Sequence, residues 1–301
     1  MMRPRPFAQH LVLFALLSFL ACPRTGLPAG EPPPSSAAYM PGLIGQYEAD
    51  QSSVTRAFGL PASDESLDRL DRLLSAWRAK LRGLDFSRLD PAGKIDYLLL
   101  ANELDRSLAH VARDRRRLAE MEPLLAFRQT ILTLESERRQ GGPLDLCQAA
   151  TKIEQLGRDV KQLREQVEKA SKGGHDATPA ELALRTARTV ERLSRTLKEW
   201  FAFYDGYRPD FAWWMRKPCD EAQKQLEAYV KLLREEIAGQ KGKEDDPLIG
   251  EPLGAASLAE EIRFEWLPYT AEELIAIGQR ELDWCQEQMK VNARAMGLGD
   301  D

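Results

Sequence analysis

Apolar residues recur along this chain at three-to-four spacing, the mark of helices that bury one face. In SDESLDRLDRLLSAWRAKL, Ser63 can cap a helix whose Leu67, Leu70, Leu74, Trp77 and Leu81 share one side, and Gly83 ends it. Asp90 followed by Pro91 starts a longer helix through Met121 that stops before Pro123. LLAFRQTILTLESERR predicts another, closed by Gly141 and Gly142. Two segments then keep a heptad-like rhythm: Leu146, Ala149, Ile153, Leu156, Val160, Leu163 and Val167 in the first, Val190, Leu193, Leu197, Trp200 and Tyr204 in the second. The loop KGGHDATP between them predicts an antiparallel hairpin with arms of about 25 residues, on the order of 38 Å each. A loop at Asp205 to Pro209 precedes FAWWMRKP and a helix from about Pro218 through Glu236, and GKEDDPLIGEPLG is the main irregular stretch. Finally, in WLPYTAEELIAIGQRELDWCQEQM, Thr270 and Glu273 form a capping box. The helix they start is expected to bury Leu274, Gly278, Leu282, Cys285, Met289 and Met296, with Gly297 as its stop. No run of alternating Val, Ile or Thr occurs, so the expected fold is all-α, built of long antiparallel helices.

Composition narrows the function classes. The 301 residues, 43% hydrophobic and 30% charged, suffice for a sizeable core, and a net charge of −5 supplies no overall positive field for nucleic acid. The basic run RDRRRL lies within a helical pattern and is read as a solvated face. Arg3 and Arg5 precede an apolar run from Leu11 to Ala21, too short to span a membrane and suited to a signal peptide over residues 1–29. FLAC, ending at Cys22, resembles the lipobox of bacterial lipoproteins, with Phe19 where leucine is usual; soluble secretion after cleavage near Ala29 is the alternative. Residues 30–42 then form a Pro- and Ser-rich tether, and 43–301 the helical body. The protein is therefore expected to be exported, touching a membrane only through an N-terminal lipid.

The search for chemistry returns little. Cys147, Cys219 and Cys285 fall in helical patterns and are expected to be small buried hydrophobes. His10, His110 and His175 are not followed by glutamate, and no Glu-x-x-His, GxSxG, Ser-x-x-Lys or phosphate-loop pattern is present. Glu272 and Glu273 suit a helix N-terminus, while Glu261 and Glu265, one turn apart, are expected to be solvated. No catalytic residue and no metal ligand is assigned. WFAFYDGYRPDFAWWM gathers eight of the chain's 23 aromatic residues into one corner. Packing between two helical layers is its first reading. As a binding surface, Tyr204, Tyr207, Arg208, Trp213 and Trp214 would contact an extended ligand such as a peptide, Arg208 meeting a carboxylate.

Four phrases taken in order, LDFSRLDPAGKIDYLLLANEL, FYDGYRPDFAWWMRKP, PLIGEPLG and WLPYTAEELIAIGQRELDWCQEQM, resemble the N-terminal half of the bacterial family called domain of unknown function 885. The resemblance implies an exported or lipid-anchored, all-helical protein distantly similar to zinc-dependent metallopeptidases. In that family the presumed metal site, a His-Glu pair with a Gly-His after it, lies in the C-terminal half, and no position here matches it. Zinc is thus expected only with that further half, which would be the chain's partner, and the helical array is expected to be incomplete at its C-terminus. The rival reading is a non-catalytic helical lipoprotein that binds a partner through its aromatic corner.

Overall fold

The helical spacing resolves, in a computed structural model, into nine α-helices and no strand among the described residues, 36–173, 178–206 and 208–298. Helix α1 spans Ser36–Phe58, α2 Asp64–Arg82 and α3 Pro91–Met121. The predicted starts of α2 and α3 are present as hydrogen bonds: the Ser66 amide donates to Ser63 Oγ at 3.2 Å, and the Gly93 amide to Asp90 Oδ1 at 2.8 Å. Gly83 closes α2 as expected. Helix α1 was not foreseen, and it takes in residues 36–42 of the expected tether, with Met40 wholly buried.

These three helices run up, down and up. Ion pairs Arg78–Asp105 (2.6 Å) and Arg115–Asp68 (2.8 Å) fix α2 antiparallel to α3. Trp77 donates to Asp50 at 3.1 Å and meets Tyr47 edge-on, which seats α1 across α2. Met40, Leu74, Leu81, Leu100 and Leu104 fill the core between them.

A second core lies at the other end of α3, where Leu118 and Met121 enter a bundle of α4 (Arg128–Arg139), α5 (Leu146–Gly173), α6 (Ala180–Asp205) and α7 (Pro209–Lys231). Helix α4 starts at Arg128, later than the pattern suggested, because Pro123 sits in a 3-10 turn at Glu122–Leu124. Arg128 is buried and joins three elements, donating to the Ala62 carbonyl (2.7 Å), Asp64 (2.9 Å) and Glu122 (2.6 Å). A guanidinium this enclosed is tolerated because its partners are in place.

The heptad stripes of α5 and α6 enter one core, but the two helices are not the closely paired neighbours that were predicted. Helix α7 packs along both, and α4 also touches both, so α5 and α6 lie diagonally across the bundle. The reason is Gly157: a Cβ there would stand 3.5 Å from the Ala222 backbone, so small residues on α5 and α7 let those two helices approach most closely. Helix α7 starts at Pro209, nine residues before the expected Pro218, which it carries internally beside the exposed Trp214. It ends in a π-helical turn, Leu232–Ile237, where the Ala238 amide donates to the Leu233 carbonyl five residues back.

Helices α8 (Ala255–Phe264) and α9 (Ala271–Ala295) complete the order. The capping box is formed in both directions, Thr270 N–H to Glu273 (2.8 Å) and Glu273 N–H to Thr270 Oγ1 (3.2 Å). The buried stripe expected beyond it is not buried: Leu282, Cys285, Met289 and Met296 are all exposed, because among the described residues α8 is the one helix that packs substantially on α9. Among the described residues no helix is long and apolar enough to cross a membrane.

The α5–α7 contact yields a graded expectation. Gly157→Ala should be neutral or stabilise by up to about 1 kcal/mol through helix propensity, whereas Gly157→Leu should destabilise by about 1–3 kcal/mol by forcing the helices apart. Urea denaturation of the two variants checks the order.

Candidate functional site

The aromatic corner divides into an inward and an outward half. Trp200 and Phe211 are fully buried with ring centroids 5.6 Å apart, and Tyr204 lies 5.4 Å from the first and 5.3 Å from the second. Burial pushes the Tyr204 hydroxyl above its ordinary pKa. These rings join α6 to α7, the structural role read first from the sequence. Facing outward, Trp213 is 77% exposed and meets Trp214 edge-on at 4.9 Å. Trp213 stands at an open cleft of about 780 Å³ whose rim carries Arg216, Lys217 and Lys224 against Asp220 and Glu221. Arg208 is engaged by its neighbour Asp210 at 2.8 Å, so a ligand carboxylate would have to displace that pair. Tyr207, Cys22 and His175 lie outside the described residues.

A second cluster joins residues that sequence reasoning treated separately. On α3, His110 and Arg113 converge on Glu261 of α8, at 2.7 Å and 2.6 Å. Arg106 bridges Glu261 and Glu265 at 3.3 Å and 2.7 Å, so both carboxylates take part in ion pairs and are not merely solvated. Asn102 donates to the Phe264 carbonyl at 2.8 Å and completes the attachment of α8 to α3. Hydrogen bonding from Arg113, helped by His110, holds the Glu261 carboxyl below the usual carboxylate range. No local signal could have paired these groups, because 151 residues separate His110 from Glu261.

This cluster does not fit zinc. It offers one imidazole and two carboxylates, Glu261 and Glu265, already paired with two guanidinium groups whose charge opposes a cation. Among the described residues no group of three or more His, Cys, Asp or Glu is placed to hold a metal ion. The cysteines also depart from expectation: Cys219 is buried, but Cys147 and Cys285 are exposed, and all three are free thiols. Burial raises the Cys219 thiol to about 12, which leaves it protonated and unreactive at neutral pH.

Around the attachment of α8 the surface is apolar. Ile95, Leu98 and Leu99 of α3 precede Asn102 and are exposed, as are Trp266, Leu267 and Tyr269 after Phe264. Beyond them α9 presents Ile275 at 72%, Trp284 at 60% and Met289 at 71% exposure. Exposed apolar side chains in such number are characteristic of an interaction face.

The profile of a family described as bacterial protein of unknown function (DUF885) matches residues 58–301. No curated protein and no solved structure matches the chain.

The lowered Glu261 carboxyl sets a pH dependence. Its stabilising contribution is fully present above the unfolded-chain value of about 4.3 and is lost as pH falls through the lower native value. Helix α8 should therefore loosen from α3 in acid. At pH 6, Glu261→Gln should reduce hydrogen-exchange protection of the α8 amides roughly tenfold, a loss on the order of 1.4 kcal/mol, while α5–α7 keep theirs.

Proposed function

The chain belongs to the bacterial family of unknown function DUF885, and we propose that it is the helical wall and substrate-channel portion of an exported, zinc-peptidase-like protein. The metal ligands come from the family's C-terminal half, which packs as further helices on the α8–α9 face. The observation that carries this reading is the uncovered apolar side of α9. A helix opened by a reciprocal capping box and bearing Ile275, Leu282 and Met289 along one face has the pattern of a packed element, yet those side chains lie in solvent. Gly278 on the same helix, open to solvent and without a side chain, leaves room for another helix to approach closely. Export, and lipid attachment at Cys22, rest on the N-terminal sequence pattern.

The second reading, a non-catalytic lipoprotein that binds a peptide through the aromatic corner, is favoured by one observation: Trp213 projects into solvent at the mouth of a cleft rimmed by charges of both signs. On that reading Trp213→Ala removes peptide binding and Ile275→Glu does not.

On the first reading the chain alone has no peptidase activity, and a chelator changes nothing; chelator-sensitive hydrolysis above a mock preparation overturns it. The wild-type chain self-associates at micromolar concentration, whereas the double variant Ile275→Glu/Met289→Glu is monodisperse with its Tm shifted by less than about 2 °C, as expected for changes at solvated positions. A monodisperse wild type whose Tm collapses in the variant would show that α9 is already covered. Light scattering and a thermal melt read both.

A further inference from the structure

Away from both of these surfaces, a cleft of about 700 Å³ opens between the start of α2, the end of α3 and the outer side of α6. Its charge is unlike that of the molecule. Five arginines line it, Arg117 from α3 and Arg185, Arg188, Arg192 and Arg195 from α6, against the two carboxylates Asp114 and Glu251. The lining therefore carries a net +3 on a chain whose net charge is −5. Concentrating one sign of charge in a recess raises the local concentration of ligands of the other sign.

The α6 arginines stand at intervals of three, four and three residues, which places them in one row along the helix. Like charges so spaced repel one another and weaken the helix unless something opposes them. The inner end of the row is partly neutralised: Arg185 pairs with Glu120 (2.5 Å) and Glu251 (3.3 Å), and Arg117 reaches Glu251 at 3.5 Å. The outer end is not. Arg188 touches Glu251 only at the 4.0 Å limit, the Arg192 side chain donates to the Thr189 hydroxyl at 3.3 Å, and the Arg195 side chain has no hydrogen bond or ion pair among the described residues. Behind them Leu67, Leu118 and Met121 give the cleft an apolar floor.

We propose that this cleft is a binding site for a small, multiply charged oxyanion with an apolar portion, its phosphate or carboxylate groups held by Arg188, Arg192 and Arg195. Guanidinium forks match both acid groups bidentately. From Arg188 to Arg195 the row rises about 10 Å, so it suits a ligand with two or more separated charges better than a single acid group. Glu251 keeps the inner arginines in place and leaves the outer three for the ligand.

The test is isothermal titration of the full chain at low ionic strength with pyrophosphate and, separately, citrate. One-to-one saturable binding is expected, weakened at least tenfold in Arg192→Ala/Arg195→Ala and unchanged in Arg216→Ala/Lys224→Ala at the aromatic-corner cleft. Tighter binding of pyrophosphate or of citrate identifies the acid group, and either supports the site. The bound anion should also raise the Tm of the wild type and not that of the Arg192/Arg195 variant, whose exposed positions leave the fold intact without ligand. The absence of saturable binding by both probes, or equal weakening in the two double variants, overturns the proposal. Neither result bears on peptidase activity or on the α9 face.

Discussion

One uninterrupted helix makes the rest of this molecule possible. The 31 residues of α3 extend about 46 Å, farther than one core can cover. Its first two thirds bury Leu100, Leu104 and Val111 among α1 and α2, and its last turns bury Leu118 and Met121 in the bundle of α4 to α7. Two hydrophobic cores are thus joined by a rod in place of a flexible linker. The same rod carries the side chains that hold α8 and one wall of the arginine cleft. Arg128 reinforces the joint where α3 ends, by tying the entry to α2 to the turn before α4.

Where the sequence was readable, local chemistry decides. A cap needs only residues within three positions of one another, so Ser63, Asp90 and Thr270 could each be identified as helix starts from the chain alone. The apolar stripes of α2, α5 and α6 likewise fell on buried faces. Partners were not legible. The α5 and α6 stripes suggested that these helices pack on each other, but a stripe says that a face is covered and not by what. The answer lay in two small residues, Gly157 and Ala222, 65 positions apart, whose meaning exists only once the helices are side by side. Helix α9 is the extreme case: its stripe is well formed, yet nothing in the described chain covers it.

The surface features divide in the same way. The aromatic run was conspicuous because its residues are consecutive, although its inward and outward halves separated only when α6 and α7 were packed. The Glu261 cluster was invisible, since it depends on α8 returning to α3. The arginine row lies between these cases: its spacing is written along α6, but the recess that gives it meaning is made by α2 and α3.

The π-helical turn at Leu232–Ile237 has a consequence for how length can vary in such a chain. One extra residue in a helix turns everything after it by about 100°, and a π-turn is the local form in which such a residue is absorbed. Leu232 and Leu233 remain inside the bundle while the chain beyond is redirected toward the irregular stretch that ends at Gly254. Relatives one residue shorter here could keep the bundle intact by regularising this turn, and would then deliver Glu251 to a different side of it. The turn is a phase adjuster, and through it a single insertion or deletion would change what faces the arginines while leaving the buried residues that precede it in place.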